Sequence, residues 1–420
     1  NYINSDEDLK QQFDHALSNA RKVLAKETGK NLDEIQIEGL KQVIEDTKDA
    51  LNGIQRLSKA KDKAIQYVQS LSYINDAQRH IAENNIHTSD DLSSLANTLS
   101  NASDLDNAMK DLQDTIESNS SSVPNSVNYI NADKNLQIEF DEALQQASAT
   151  SSKTSENPAT IEEVLGLSQA IYDTKNALNG EQRLATEKSK DLKLIKVLKD
   201  LNKAQLEDVT NKVNAANTLT ELSQLTQSTL ELNDKMKLLR DQLKTLVNPV
   251  KASLNYRNAD YNLKRQFNKA LKEAKGVLNK NSGTNVNIND IQHLLTQIDN
   301  AKDQLNGEQR LKEHQQKSEV YVIKELDILN NAQKAAIINQ IRASKDIKMI
   351  NQIVDNAIEL DDAMQSLKEH VTQLTATTKD NIEYLNADED LKLQYDYAIN
   401  LANNVLDKEN GTNKDANIKI

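Results

Sequence analysis

The sequence predicts an all-α protein: tandem three-helix bundles, two per repeat of about 127 residues, joined end to end into an elongated rod. Three observations carry this. One phrase recurs as Tyr2-Ile-Asn-Ser-Asp-Glu-Asp-Leu, Tyr129-Ile-Asn-Ala-Asp-Lys-Asn-Leu, Tyr256-Arg-Asn-Ala-Asp-Tyr-Asn-Leu and Tyr384-Leu-Asn-Ala-Asp-Glu-Asp-Leu, at steps of 127, 127 and 128 residues. Between these markers the apolar residues fall at helical spacing. Composition agrees: in 420 residues there are 9 Gly, 3 Pro and no Trp, with 37% hydrophobic and 3% aromatic residues. That composition disfavours sheets and any single large core, and favours small bundles with thin aliphatic cores. A tandem array builds length and valency, whereas an enzyme of this size builds one asymmetric pocket.

In the first copy Leu9, Phe13, Ala16, Leu17, Ala20 and Leu24 mark one helix, with Asn4 at its N-cap and Asp6 facing its positive end. Leu40, Val43, Ile44, Thr47 and Leu51 mark a second. It stops at Asn52-Gly53, where a glycine in the left-handed conformation would end it. Leu57, Ala60, Ala64, Val68 and Leu71 make a third, completing an up-down-up bundle. The same stop recurs at Asn179-Gly180 and Asn306-Gly307.

A smaller bundle follows. Asn75, Asn202 and Asn330 each open a short helix. Asp91, Thr218 (with Glu221 forming a capping box) and Asp346 each cap the next segment. Leu105, Met109, Leu112 and Ile116 mark a last, short helix, with Met236 and Met364 as the counterparts of Met109 and all three methionines read as core. The domains so defined are 1–73, 124–200, 251–328 and a truncated 379–420, alternating with 74–123, 201–250 and 329–378. Each methionine stands 20 residues before the next Tyr, yet the junction sequences differ, Ser118–Asn128 being Ser-rich with Pro124. Constant length through unlike sequence implies fixed, partly helical geometry, with the Ser-Pro junction the place to bend. Helix rise gives an advance of roughly 50 to 60 Å per repeat. Small-angle scattering should then show a maximum dimension of roughly 180 Å for three repeats; roughly 60 to 70 Å would contradict the rod.

Several functions are disfavoured. Net charge is −13 and the pI about 5.1, which repels phosphate backbones and anionic lipid, so no nucleic-acid partner is expected. Without cysteine there are no disulfides, thiolate metal sites or Cys nucleophile. No apolar run is long enough to span a membrane, and no secretory signal stands in the sequence, which opens and closes within repeats and reads as a segment of a longer chain. His15, His80, His87, His293, His314 and His370 share no repeat offset or metal-ligand spacing. Runs such as Asp6-Glu7-Asp8 complement helix N-termini. No catalytic, cofactor or metal site is therefore expected. The one candidate recognition residue is the recurring tyrosine, Tyr2, Tyr129, Tyr256 and Tyr384, for which packing at the junction is the favoured role. A spectrin-type scaffold shares the physics but ordinarily carries Trp and a shorter period.

The Tyr-x-Asn-Ala-Asp opening, closing on Leu-Asn-Gly-x-Gln-Arg-Leu, resembles the FIVAR module; the Leu-Asn-x-Ala-Gln segment, running to Leu-x-x-Ala-Met, resembles the GA module of bacterial surface proteins. Their alternation is similar to the repeat regions of giant staphylococcal extracellular-matrix-binding adhesins and covers the whole chain. The resemblance implies a helical rod at a Gram-positive cell surface, held to wall or membrane through parts outside this segment. It also implies attachment to a host matrix protein such as fibronectin and a contribution to envelope integrity. Some GA modules bind serum albumin; here Asn84-Asn85-Ile86-His87-Thr88 and its counterparts differ between copies, which argues against albumin for all three. Ser148–Thr160 replaces the turn that contains Gly29, Gly283 or Gly411 in the other copies, so a site built on that loop would not recur in every copy.

Overall fold

A computed structural model describes residues 1–413. Every element among them is a helix. In the first repeat these are α1 (Glu7–Val23), α2 (Glu34–Asp49), α3 (Gly53–Ser70), α4 (Asp76–Thr88) and α5 (Leu92–Ser122). The second has α6 (Val127–Ile130), α7 (Lys134–Ser151), α8 (Ile161–Ala177), α9 (Gly180–Lys196), α10 (Lys203–Ala215) and α11 (Leu219–Ala252). The third has α12 (Leu254–Arg257), α13 (Tyr261–Val277), α14 (Ile288–Asp303), α15 (Gly307–Lys324), α16 (Asn331–Ala343) and α17 (Ile347–Thr377), and the last α18 (Ile382–Leu385) and α19 (Glu389–Leu406). The chain divides into two compact units, residues 1–190 with 216–222 and residues 191–215 with 223–420.

The helices sort into bundles differently from the sequence expectation. In the first unit α3 packs on α4 and α5, and Ala64, Val68, Ile74, Ile86, Leu95 and Ala102 form one core. A second core joins Met109 and Leu112 of α5 to Phe140 and Ala147 of α7 and Val164 and Ile171 of α8. So α3, expected to complete a bundle with α1 and α2, belongs to the next one. The expected short last helix is instead the 31-residue α5, whose two halves serve two cores. The second unit repeats this. Met236 and Leu239 of α11 lie in one core with Phe267, Ala274, Ile291 and Ile298, while α15, α16 and the first half of α17 surround Val322, Ile341 and Ile350. The packing therefore does not divide at residues 73, 123, 200, 250, 328 or 378, and the domain expected at 379–420 extends outside the described residues.

The reason is visible in the apolar stripe. Leu105, Met109, Leu112, Ile116 and Val123 keep helical spacing through the Ser-rich stretch, so burying them against α7 and α8 holds Ser118–Ser122 helical. The expected partly helical junction is found: α5 runs to Ser122, and Ser126 then caps α6, its hydroxyl accepting the Tyr129 amide at 3.1 Å. Pro124 stands just past the end of α5. Pro249 lies inside the last turn of α11, where it removes only one helical donor.

Local start signals are well matched. Asn75 and Gln78, Asn287 and Asp290, and Asn330 and Gln333 each form a reciprocal capping box. Asp91 accepts the Ser94 amide at 2.7 Å. At α11 the Thr218 hydroxyl takes the Glu221 amide, but the Glu221 carboxylate turns back to the amide of Asn217, one residue before the expected partner.

Candidate functional site

The residues that recur in every copy converge on the joints between bundles. The first joint ties the Tyr-x-Asn-x-Asp phrase to the Asn-Gly turn and to a distant helix start. Asp6, not Asn4, is the N-cap residue of α1. Asn4 is buried and reaches across the fold: its side-chain amide donates to the Asp90 carbonyl at 3.0 Å, and its oxygen accepts the Leu92 amide, the first of α5, at 2.9 Å. Asn131 makes the same pair with Asn217 and Leu219 (2.8 and 2.7 Å), and Asn258 with Lys345 and Ile347 (3.1 and 3.0 Å). An orphan helix N–H is thus satisfied from 88 or 89 residues away.

Around each Asn the same ring closes. In the third repeat the Asn306 side chain donates to Asp260 at 2.7 Å and accepts the Asp260 amide at 3.1 Å. Arg310 binds both the Asn258 carbonyl (2.7 Å) and the Asp260 carboxylate (3.0 Å). Arg56 and Arg183 do likewise at Asn4 and Asp6 and at Asn131 and Asp133. Gly307 opens α15 inside this ring. A Cβ there would lie 2.6 Å from the Ala259 amide nitrogen and closer still to the Asn255 carbonyl oxygen; Gly53 and Gly180 are equally hemmed in. No described glycine has positive φ, so the expected left-handed helix stop is replaced by a different requirement, close approach of two backbones.

The second joint plugs the short helix into the following module. Asn202 is fully buried; its side-chain oxygen accepts the Gln205 amide at 2.9 Å while its amide donates to Val277 and Thr284 carbonyls at 3.0 and 2.9 Å. Gln205 reaches the Val286 carbonyl at 3.0 Å. Asn75 and Gln78 bind Thr150, Asn157 and Ala159, and Asn330 binds Val405 and Thr412, at matching offsets of 75, 82 and 81 residues. All these acceptors are backbone carbonyls. Hence the Ser/Thr-rich loop of the second repeat serves as well as its glycine-containing counterparts. Lys153 and Lys280 lie over this joint, their amines bonded to Ser72 and to Leu201 respectively, and burial pulls both below the ordinary lysine range.

The four recurring tyrosines sit beside the first joint, on their own bundle. Tyr129 stacks edge-on against Phe140 at 6.0 Å, and its hydroxyl donates to Asp141 at 2.8 Å. Tyr2 pairs with Phe13 and Asp14, Tyr256 with Phe267 and Asn268, and Tyr384 with Tyr395 and Asp396. Each ring packs on the residue 11 positions on and each hydroxyl on the residue 12 positions on, so both ends of the side chain are engaged within the fold. Burial, reinforced by the hydrogen bond and charge of Asp141, pushes Tyr129 up to about 12 from 10.0. The raised value means that the native state holds this proton more tightly than the unfolded chain. Its stabilisation is complete below pH 10 and is lost as pH climbs towards 12. Alkaline denaturation midpoints should fall across that window in the parent and fall less in Tyr129→Phe; equal slopes would contradict it.

Among the described residues no group of three His, Cys, Asp or Glu is placed to hold a metal ion, and no helix is long and apolar enough to cross a membrane. His314 hydrogen-bonds Asn351 at 2.6 Å. The recurring side chains are thus occupied with one another, in a lattice that fixes one bundle to the next.

The FIVAR domain description matches residues 1–52, 108–179, 236–306 and 363–418, more than half the chain. The chain belongs to the FIVAR family. GA modules match the intervening residues 54–108, 181–235 and 308–363. The change from FIVAR domain to GA module falls at the Asn-Gly turns and, near Ala108, Met236 and Ala363, inside the long helices, the places where the packing divides. The "Extracellular matrix-binding protein ebh" of Staphylococcus aureus strain MW2 is 32% identical over 97% of this chain. "Extracellular matrix-binding protein EbhA" of strain Newman is 31% identical over the same share. The alternating FIVAR and GA repeats are of this Ebh type. The chain spans 4% and 12% of the lengths of those two relatives. A crystal structure of EbhA (756–1003 domain) from Staphylococcus aureus shares the fold, with a TM-score of 0.53 at 23% identity, covering 59% of this chain and 97% of that one.

Proposed function

We propose that this chain is a non-enzymatic segment of a bacterial cell-surface matrix-binding adhesin. It acts as a rod-like spacer and a multivalent binder of host extracellular matrix of the fibronectin class, and contributes to envelope integrity. The observation that carries this is the lattice at the joints. Every residue type that recurs in all copies is spent on fixing one bundle to the next, which is what a spacer requires. Binding then falls to the variable outer faces, where many weak contacts add through repetition. The extracellular matrix-binding relatives support the partner class and the surface location, and the Tyr2, Tyr129, Tyr256 and Tyr384 rings contribute as scaffold rather than contact. Albumin is not among the partners proposed. Saturable binding of this chain to immobilised fibronectin, above that of an unrelated helical repeat protein, is the expected result. Binding no greater than the control removes the ligand and leaves the second reading, a pure spacer, which the engagement of every recurring side chain favours.

A further inference from the structure

The first FIVAR domain lacks the helix that completes its siblings. In the second and third copies the C-terminal half of the preceding long helix covers the pair α7–α8 or α13–α14, placing Met109 and Leu112, or Met236 and Leu239, in their cores. Nothing covers α1–α2. Ile37 is 52% exposed, whereas its counterparts Val164 and Ile291 are at 0%. Phe13 is half-buried where Phe140 and Phe267 are fully buried. An open groove results, lined by Ala20, Val23, Leu24, Ile37, Leu40 and Ile44, with Lys41 and Glu45 at its edge. The last FIVAR domain shows the complementary gap among the described residues. Leu367 and Val371 of α17 pack only against α19, Tyr395 is half-buried where its counterparts Phe140 and Phe267 are fully buried, and Leu391 is exposed.

We propose that the α1–α2 groove is a seat for the C-terminal half of α17 from a second copy, so that chains join head to tail through a completed FIVAR bundle. The occupant follows from the internal copies: the same surface is filled twice in this chain by a helix of the same stripe, Leu-x-x-x-Met-x-x-Leu in α5 and Leu-x-x-Ala-Met-x-x-Leu in α17. Asn1 of the incoming copy stands in the repeat frame of Glu383, so α1–α2 takes the place of α19 on α17. Met364 then meets Ile37 of the second copy as Met109 meets Val164.

The test uses the 420-residue chain and a fluorescent peptide spanning Leu360–Thr378. Sedimentation should show association that rises with chain concentration, and excess peptide should return the chain to monomer. Peptide anisotropy should report one site, weakened at least tenfold by Ile37→Asp. Ile37 is exposed, so this variant should keep the parent's far-ultraviolet helical signal; a peptide carrying Met364→Glu gives the same loss without touching the chain's fold. A chain that stays monomeric to millimolar concentration overturns the proposal. So does association that Ile37→Asp and the peptide leave unchanged, or peptide binding without self-association, which would assign the seat to some other helix.

Discussion

Gly307→Ala should cost about 3 kcal/mol, an effect of overpacking that a single methyl group rarely produces. The added carbon would meet backbone on two sides, the Asn255 carbonyl and the Ala259 amide, and neither can rotate away as a side chain would. To admit it, α15 must withdraw from the Tyr-x-Asn phrase. That would strain the Glu308 amide bond to Asn255 (3.2 Å) and the Arg310 bridge to Asn258 and Asp260. Gly166→Ala is the internal control. Gly166 lies inside α8 with nothing within 4 Å of its would-be Cβ, so alanine there should stabilise by about 0.5 to 1 kcal/mol through helix propensity. The same substitution thus acquires opposite signs at two sites. Thermal unfolding of the two variants decides it, and a Gly307→Ala chain as stable as the parent would refute the close-approach argument.

Asn202→Ala should be comparably severe, about 3 kcal/mol. It removes a buried helix cap, worth about 1 kcal/mol, and leaves the Val277 and Thr284 carbonyls without their donor in a dry joint. Asn202→Asp should fare no better: a carboxylate can still cap Gln205 but can only repel the two carbonyls, and it would be buried without a counter-charge. The effect should be local before it is global. Hydrogen exchange in the loop between α13 and α14 should accelerate by about a hundredfold, the rate equivalent of roughly 2.7 kcal/mol, while α16 stays protected. Uniform acceleration throughout the chain would mean that the joint is not the unit that opens.

Much of this was legible in the residues. The period, the helical class, the capping role of Asn75, Asn202 and Asn330 and the burial of Met109, Met236 and Met364 follow from spacing and cap chemistry. Module membership does not. An apolar stripe says that a helix has a partner, never which one, so α3 could be given equally to the helices before it or after it. The Ser-rich end of α5 read as a junction because serine is a poor helix former; the signal against that reading was Ile116 and Val123 holding register with Met109 and Leu112. The glycine after each Asn was ambiguous for a different reason. A left-handed stop and a close backbone approach both demand glycine, and only the position of Asn1, Asn128 or Asn255 across the gap distinguishes them. The long-range pairing of Asn4 with the start of α5 leaves no trace in local pattern at all.

Because α5 carries Leu95 and Ala102 into one core and Met109 and Leu112 into the next, neighbouring cores have no slack between them. A pull on the chain leaves one core along the same hydrogen-bonded cylinder by which it enters the next, so load cannot be absorbed by a loop paying out. Under tension, melting either half of α5 would strip a wall from the module beside it. Failure should therefore come in steps of paired modules, and a force–extension record of this chain should show fewer, larger releases than it has bundles.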